Sequence, residues 1–90
     1  MLLMAYMEKH QARREDAWFL DSGCSNHMCG YKAMFSDLNL EFRHSVKLGN
    51  NTRMNVMGKG SVKILLTGIN HVISEVYYIP DLRNNLLSIG

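Results

Sequence analysis

The sequence predicts a small all-β domain, a barrel or a sandwich, with a short helix at its amino end. Segments rich in β-branched and aromatic residues recur from Trp18 onward, and such residues favour strands. Glycine, asparagine and the single proline divide these segments at short intervals, as turns divide the strands of small all-β folds. One segment also alternates apolar and polar residues, which is the period of a half-buried strand.

The composition indicates one folded domain without a strongly charged partner. Ninety residues suffice for a single domain. A hydrophobic content of 47% with 20% charged residues is typical of a globular chain. The net charge is +2 and the ten Lys and Arg residues are scattered. We therefore expect no direct binding of nucleic acid by this segment.

We expect neither a secretion signal nor a membrane span at the amino end. Its apolar run MLLMAYM is too short to cross a bilayer. It also lacks the basic start and the small-residue cleavage site of a signal peptide. The two cysteines give no indication of an oxidising compartment. We expect an intracellular, cytoplasmic protein that is not secreted and does not bind membranes.

An N-terminal helix is the first predicted element. Residues 2–16 contain good helix formers and neither Gly nor Pro, so a short amphipathic helix is favoured there. The pattern changes at Trp18. We therefore predict a helical extension over residues 1–17 and a β-domain over residues 18–90.

A β-hairpin is predicted in the middle of the chain. Its first arm is EFRHSVKL, in which two sets of residues alternate: Phe42, His44, Val46 and Leu48 against Glu41, Arg43, Ser45 and Lys47. Gly and Asn then supply a turn over residues 49–51, because both tolerate positive φ. The return arm is predicted over residues 52–57.

Two further strands are predicted after a glycine-rich bend. Gly58 and Gly60 bracket a lysine, but the spacing of a phosphate-binding loop is absent. We interpret this stretch as a bend in a strand. The strands that follow are SVKILLT and HVISEVYYI. Pro80 ends the second, because proline donates no ladder hydrogen bond.

The stretch WFLDSGCSNHM carries the candidate chemistry. Three large apolar residues lead into Asp21, and a hydroxyl and a glycine follow it. Gly23 lets the backbone turn sharply, and Ser22 can brace the turn by hydrogen bonds. The plain alternative is a turn-forming aspartate after a strand.

A catalytic role for Asp21 requires a second carboxylate. Two facing carboxylates that share one proton can act as base toward a water and as acid toward a carbonyl. The sequence contains a single Asp-Ser-Gly. The second copy would therefore come from another chain, across a two-fold axis.

These motifs closely resemble the protease segment of Pol polyproteins from copia-type LTR retrotransposons. The likeness rests on an ordered set of motifs: WFLDSGCSNHM, VKLGN, MGKGSV and EVYYIPDLRNNLLSIG. D-S-G alone is a weak signal, whereas the ordered set is highly specific and runs from about Trp18 to Gly90. The resemblance implies a retropepsin-like β-barrel, closed or partly open.

The resemblance also implies residue roles. Asp21 would be the catalytic aspartate, Ser22 the hydroxyl that braces the paired loops, and Gly23 the turn glycine. The substrate-binding flap would consist of Gly49, Asn50, Asn51 and Thr52. Either Leu86–Leu87 or Ile89–Gly90 would pack beneath the catalytic loop. The implied reaction is hydrolysis of a polyprotein peptide in a homodimer by an Asp-activated water, with no cofactor, metal or covalent intermediate.

Two departures from the family pattern bear on activity. Relatives usually have Ala where this chain has Cys24, and Cys is small enough to pack in its place. Retropepsins also continue past the position of Gly90 into a short helix and a strand that helps form the dimer sheet. The alternative is therefore an inactive, truncated β-barrel relic that acts at most as an interaction module.

A zinc site is a further alternative. Cys24, His27 and Cys29 form the pattern C-x2-H-x-C. Structural zinc sites use four ligands, usually in two spaced pairs, and the sequence has no second cysteine pair. We expect no metal, and interpret these residues as two small thiols and a polar histidine.

Overall fold

The computed structural model of the chain describes residues 2–6, 17–21, 25–48 and 51–88. Within these ranges the chain forms nine β-strands and one turn of 3-10 helix. The strands are β1 (Leu2–Tyr6), β2 (Ala17–Asp21), β3 (His27–Cys29), β4 (Phe35–Asn39), β5 (His44–Leu48), β6 (Thr52–Val56), β7 (Gly58–Leu66), β8 (Ile69–Tyr78) and β9 (Asn85–Ser88), and the 3-10 turn spans Lys32–Met34. No helix in this described part is long and apolar enough to cross a membrane.

Seven of the strands form one mixed sheet in the order β1-β2-β9-β3-β8-β7-β4. The strands β5 and β6 form a separate antiparallel hairpin. The predicted all-β class is confirmed. The main sheet is open, because β1 and β4 stand at its two ends and do not pair with each other. A closed barrel is therefore not observed across the described strands.

The predicted N-terminal helix is wrong for residues 2–6, which form β1. This strand runs antiparallel to β2, with Leu2 opposite Asp21 and Tyr6 opposite Ala17. Helix propensity is a weak preference that tertiary pairing overrides. Here an apolar segment pairs with the edge of β2 instead of forming its own hydrogen bonds. The remainder of the predicted helix lies outside the described residues.

The predicted central hairpin is confirmed as β5 and β6, but its first arm is shorter than predicted, because residues 41–43 precede the strand. Its register pairs His44 with Val56 and Leu48 with Thr52. The alternation also holds along the first arm, because its apolar members are partly buried and its polar members exposed. His44 is the exception, since it shares the apolar parity but is exposed.

The glycine-rich bend lies inside the long strand β7. This strand pairs with β8, so the two strands predicted after the bend form one extended hairpin. The register shifts between Gly60 and Val62, as at a β-bulge. The backbone of Gly60 approaches β4 so closely that a Cβ there would overlap the carbonyl oxygen of Asp37. The interpretation as a bend in a strand is confirmed.

Apolar side chains form two clusters on the two faces of the main sheet. Sequence neighbours such as Met28 and Cys29 fall in different clusters, as alternation along a strand requires. The first cluster contains Trp18, Cys29, Val62, Ile64, Val76 and Leu87. The second contains Met28, Val56, Ile79 and Leu82, against which Val46, Leu48 and Met54 of the hairpin also pack. The hairpin therefore covers the second face.

Candidate active site

Asp21 is the last residue of β2, an interior strand of the main sheet. Strand β2 pairs with β1 on one side and with β9 on the other, so the Asp21 backbone lies opposite Leu2 and Ser88. The prediction that a strand leads directly into this acid is confirmed. Ser22 and Gly23 lie outside the described residues, and their roles stay predictions.

Strand β9 lies between the two strands that flank the Asp-Ser-Gly segment. It runs parallel to β2 and antiparallel to β3. The chain passes from β2 to β3 through residues 22–26. The carboxyl end of β9, at Ser88, therefore lies beside Asp21 where that connection begins. This short strand separates the two arms of the candidate catalytic loop.

Asn85 anchors the start of β9. Its side chain is fully buried, and the N–H of Gly30 donates a hydrogen bond of 3.1 Å to its Oδ1. Its Nδ2 lies 3.7 Å from Sδ of Met34, a weak acceptor. Gly30 itself admits no side chain, because a Cβ there would overlap the carbonyl oxygen of Leu82. A buried amide needs such partners, since an unpaired one costs about 1–3 kcal/mol.

His27 anchors the end of β9. The N–H of Ser88 donates a hydrogen bond of 3.1 Å to His27 Nδ1. Partial burial of the imidazole lowers the pKa of His27 below its usual value, because an apolar environment disfavours the charged ring. The neutral ring is the form that can accept this hydrogen bond.

The two leucines of β9 point to opposite faces of the sheet. Leu87 is buried with Trp18 in the first cluster, whereas Leu86 packs against the second. One of the two candidate hydrophobic pairs therefore lies in the strand next to β2, which ends at Asp21. Residues 89 and 90, the other candidate, lie outside the described residues.

Cys29 is a core residue. Its side chain is fully buried, and its Sγ lies 3.5 Å from both the carbonyl oxygen and the nitrogen of Tyr31. Burial raises the pKa of this thiol to about 11, so it is protonated at neutral pH and unsuited to nucleophilic chemistry. Among the described residues, which exclude Cys24, no group of three or more His, Cys, Asp or Glu is placed to hold a metal.

The predicted flap corresponds to the turn between β5 and β6. Asn51 has φ of 63°, in the left-handed region that asparagine tolerates. Thr52 begins β6 opposite Leu48. Gly49 and Asn50 lie outside the described residues. The hairpin is confirmed, and its contact with a substrate stays a prediction.

Arg43 joins the two segments at the root of this hairpin, that is, the residues just before β5 and just after β6. Its Nη1 donates to the carbonyl oxygens of Leu40, Phe42 and Met57 at 2.5, 2.8 and 2.9 Å. These carbonyls belong to the segment that enters the hairpin and to the one that leaves it. The ring of Phe42 also stacks on Tyr77 of β8, with centroids 5.7 Å apart. Both contacts fix the hairpin relative to the main sheet.

A cavity of about 440 Å³ lies away from the predicted catalytic residues. Its lining includes Asp37, Phe42, Lys59 and Glu75. Lys59 forms a salt bridge of 2.5 Å with Glu75, and the hydrogen bond that its ammonium donates to the Glu75 carboxylate raises the pKa of Lys59. The Lys59 Nζ also lies 5.1 Å from the Phe42 ring centroid. Lys59 and Glu75 thus already engage each other, and none of the predicted catalytic residues is among the described residues that line the cavity.

Sequence reasoning missed the two side-chain anchors of β9. His27 and Asn85 lie within the two most specific motifs, S-N-H-M and N-L-L-S. A polar residue inside an otherwise apolar strand is a usable signal, because buried polar groups require partners. The partners themselves are 61 and 55 residues away along the chain, which a local pattern does not report.

Comparison with known proteins relates the chain to transposon polyproteins. A family model described as "Pol polyprotein, beta-barrel domain" matches residues 18–90. The putative transposon Ty5-1 protein of Saccharomyces cerevisiae is 32% identical over 78 residues, which is 87% of this chain and 51% of that protein. The retrovirus-related Pol polyprotein from transposon TNT 1-94 of Nicotiana tabacum is 30% identical over 80 residues, or 88% of this chain and 6% of that protein. No solved structure matches the chain significantly.

Proposed function

Since this chain belongs to the family of Pol polyprotein beta-barrel domains, we propose that it is the aspartic endopeptidase segment of such a polyprotein and acts as a homodimer. The family and the two transposon relatives confirm the resemblance to a copia-type retrotransposon Pol segment. The chain spans about half the length of one of these relatives and a small part of the other. What we propose beyond the family is that this chain cleaves a polyprotein peptide and does so as a homodimer.

The position of Asp21 carries this proposal. It ends an interior strand that has a hydrogen-bonded neighbour on each side. Ser22 and Gly23 follow it at once. A carboxylate that acts as a general base must be held within hydrogen-bond reach of its water. An acid at the end of a strand paired on both sides meets that requirement better than one in a free turn.

The proposed chemistry needs one carboxylate from each chain. With the two Asp21 side chains facing each other, like charges disfavour double ionisation, and the pair keeps one proton. The ionised carboxylate takes a proton from a water, which attacks the peptide carbonyl. The protonated carboxyl gives its proton to the carbonyl oxygen, which forms a tetrahedral diol. As the C–N bond breaks, the carboxyl that holds the water's proton gives it to the leaving amine nitrogen, and the other carboxylate takes a proton back from a diol hydroxyl. The pair titrates as a unit, so the activity optimum should lie on the acid side of neutrality.

The β5–β6 hairpin is proposed to cover a bound peptide. It forms no strand pairing with the main sheet, and Arg43 ties both of its root segments together. A hairpin fixed at its root and paired only with itself can change position at its turn without disturbing the sheet. The residues proposed for this contact are Gly49, Asn50, Asn51 and Thr52.

Peptide cleavage by Asp21→Asn tests the proposed function. A mixed peptide library at mildly acidic pH is the substrate, and Asp81→Asn is the matched control, because Asp81 lies exposed in a turn after Pro80. We expect Asp21→Asn to lose at least about 100-fold in kcat/KM, while Asp81→Asn cleaves like wild type. Equal cleavage by Asp21→Asn and wild type would refute the assignment. A wild-type chain that dimerises but cleaves nothing would favour the inactive interaction module.

A further inference from the structure

We infer that His27 is a positioning residue whose neutral imidazole, protonated at Nε2, holds the carboxyl end of β9 beside Asp21. The inference deepens the proposed function, because it assigns a role to the histidine of the S-N-H-M motif. Its consequence for catalysis rests on the proposed protease activity. The hydrogen bond and the tautomer do not depend on that activity.

The backbone ladder between β3 and β9 is short, whereas β9 pairs with β2 along its whole length. It consists of a single register pair, Met28 with Leu86. Ser88 lies two residues beyond that pair, past the start of β3 at His27. The imidazole fills this gap, since the Ser88 N–H donates to His27 Nδ1 at 3.1 Å. A side chain of β3 thus adds a hydrogen bond to the end of β9.

The direction of this hydrogen bond fixes the tautomer. A backbone N–H can only donate, so His27 Nδ1 must present its lone pair to Ser88. In a neutral imidazole the single proton then resides on Nε2. The imidazolium form carries protons on both nitrogens, and it would set a second donor against the Ser88 N–H. Protonation of His27 therefore breaks the contact.

The hydrogen bond between His27 and Ser88 is linked to Asp21 through Ser88 itself. Ser88 is the register partner of Asp21 in the parallel pairing of β9 with β2. The backbone of Ser88 is thus hydrogen-bonded to His27 of β3 on one side and paired with Asp21 of β2 on the other. If the His27 contact is lost, Ser88 loses one hydrogen bond to β3, and the backbone that pairs with Asp21 is held less firmly.

The surroundings of His27 favour its neutral form. Its register partner on β8 is Val76. The titratable residues beside Val76 are Glu75, which pairs with a lysine, and Tyr77, which packs in the other cluster. Strand β9 has no titratable side chain, and Asp21 is one strand farther away. Partial burial lowers the pKa of His27, so the ring is neutral at neutral pH.

Two nuclear magnetic resonance measurements on the 90-residue chain test the inference. Long-range ¹H–¹⁵N correlation spectra identify which nitrogen of His27 carries the proton, and amide exchange reports the protection of Ser88. His27→Leu removes the acceptor. His27→Asn is the matched variant, because its Oδ1 stands as many bonds from Cα as Nδ1 does and can still accept.

We expect the Nε2–H tautomer in the wild-type chain. Ser88 should exchange about tenfold faster in His27→Leu and at the wild-type rate in His27→Asn. On acidification, wild-type protection should be lost only below pH 6.5, the usual pKa of histidine, because the pKa of His27 is lowered. His27→Asn should not show that loss.

An Nδ1–H tautomer in the wild-type chain would overturn the inference, and this spectrum needs no variant to fold. Equal Ser88 exchange in wild type and folded His27→Leu would overturn it as well. In the cleavage assay, His27→Asn should retain kcat and His27→Leu should lose it. A wild-type chain without cleavage would refute the proposed function and leave the tautomer result standing.

Discussion

At the scale of single residues, the close approach of β4 and β7 depends on contacts that only glycine permits. Gly60 lies where β7 shifts register against β8, and its backbone rests against Asp37 of β4. A Cβ at this position would overlap backbone atoms, which cannot move aside as a flexible side chain can. A Cβ added at Gly58 would lie 3.0 Å from Leu38 Cδ1 and 3.1 Å from the carbonyl oxygen of Asn39. These contacts demand a smaller adjustment.

Gly60→Ala should therefore destabilise the chain by about 1–3 kcal/mol or more, because the added methyl forces β4 and β7 apart. Gly58→Ala is the matched control and should cost less, since part of its new contact is with the end of a leucine side chain. Urea unfolding of the two variants beside wild type measures both changes. A larger loss for Gly58→Ala than for Gly60→Ala would contradict the packing described here.

The sequence predicted the location of the candidate acid but not the contacts that fix it. The apolar run before Asp21 predicted a strand, and the glycine after it predicted a turn. Both signals are local, because strand and turn preferences act over a few residues. The hydrogen bond between His27 and Ser88 joins positions 61 residues apart, and no local preference specifies such a pair.

At the scale of elements, the β5–β6 hairpin is held at its root by one guanidinium. Arg43 Nη1 donates to carbonyl oxygens on both sides of the hairpin, at Leu40 and Phe42 before it and at Met57 after it. Such charge-assisted hydrogen bonds are stronger than neutral ones. The stacking of Phe42 on Tyr77 adds an apolar contact to the main sheet.

Arg43→Gln should loosen the hairpin without unfolding the sheet. We expect amide exchange within β5 and β6 to accelerate by about tenfold, while amides of β7 and β8 keep their protection. Arg43→Lys should retain most of the protection, because an ammonium keeps the positive charge and offers three donors.

Arg53→Gln is the control for loss of charge on the same hairpin. Arg53 is exposed and donates from Nη1 to Ser45 Oγ at 3.3 Å. Equal acceleration in Arg43→Gln and Arg53→Gln would show that the carbonyl contacts of Arg43 do not hold the root.

The sequence predicted the strands that have a strong local alternation of apolar and polar residues. It did not predict the strands whose formation depends on pairing with a distant strand. The strict alternation in 41–48 predicted β5 and the buried face of the hairpin. Residues 2–6 favoured a helix by propensity but form β1, because their partner β2 was not visible in a local pattern. Strand β9 is four residues long, and its role follows from lying between β2 and β3 rather than from its composition.

At the scale of the whole molecule, each chain supplies half of the proposed site. The sequence holds a single Asp-Ser-Gly, and the described sheet is open, with β1 and β4 at its ends. Unpaired strand edges are sites where a second chain can add hydrogen bonds. A two-fold axis that passes beside Asp21 would bring the two copies of this residue together, which is the arrangement that the proposed chemistry requires.

The most direct test of this account is the cleavage rate of mixtures of wild-type and Asp21→Asn chains at constant total concentration. If the active species is a homodimer that needs both carboxylates, activity falls as the square of the wild-type fraction. An equal mixture then keeps about one quarter of the wild-type rate. A rate that falls in direct proportion to the wild-type fraction would mean that each chain acts alone, and the account of a shared aspartate pair would be contradicted.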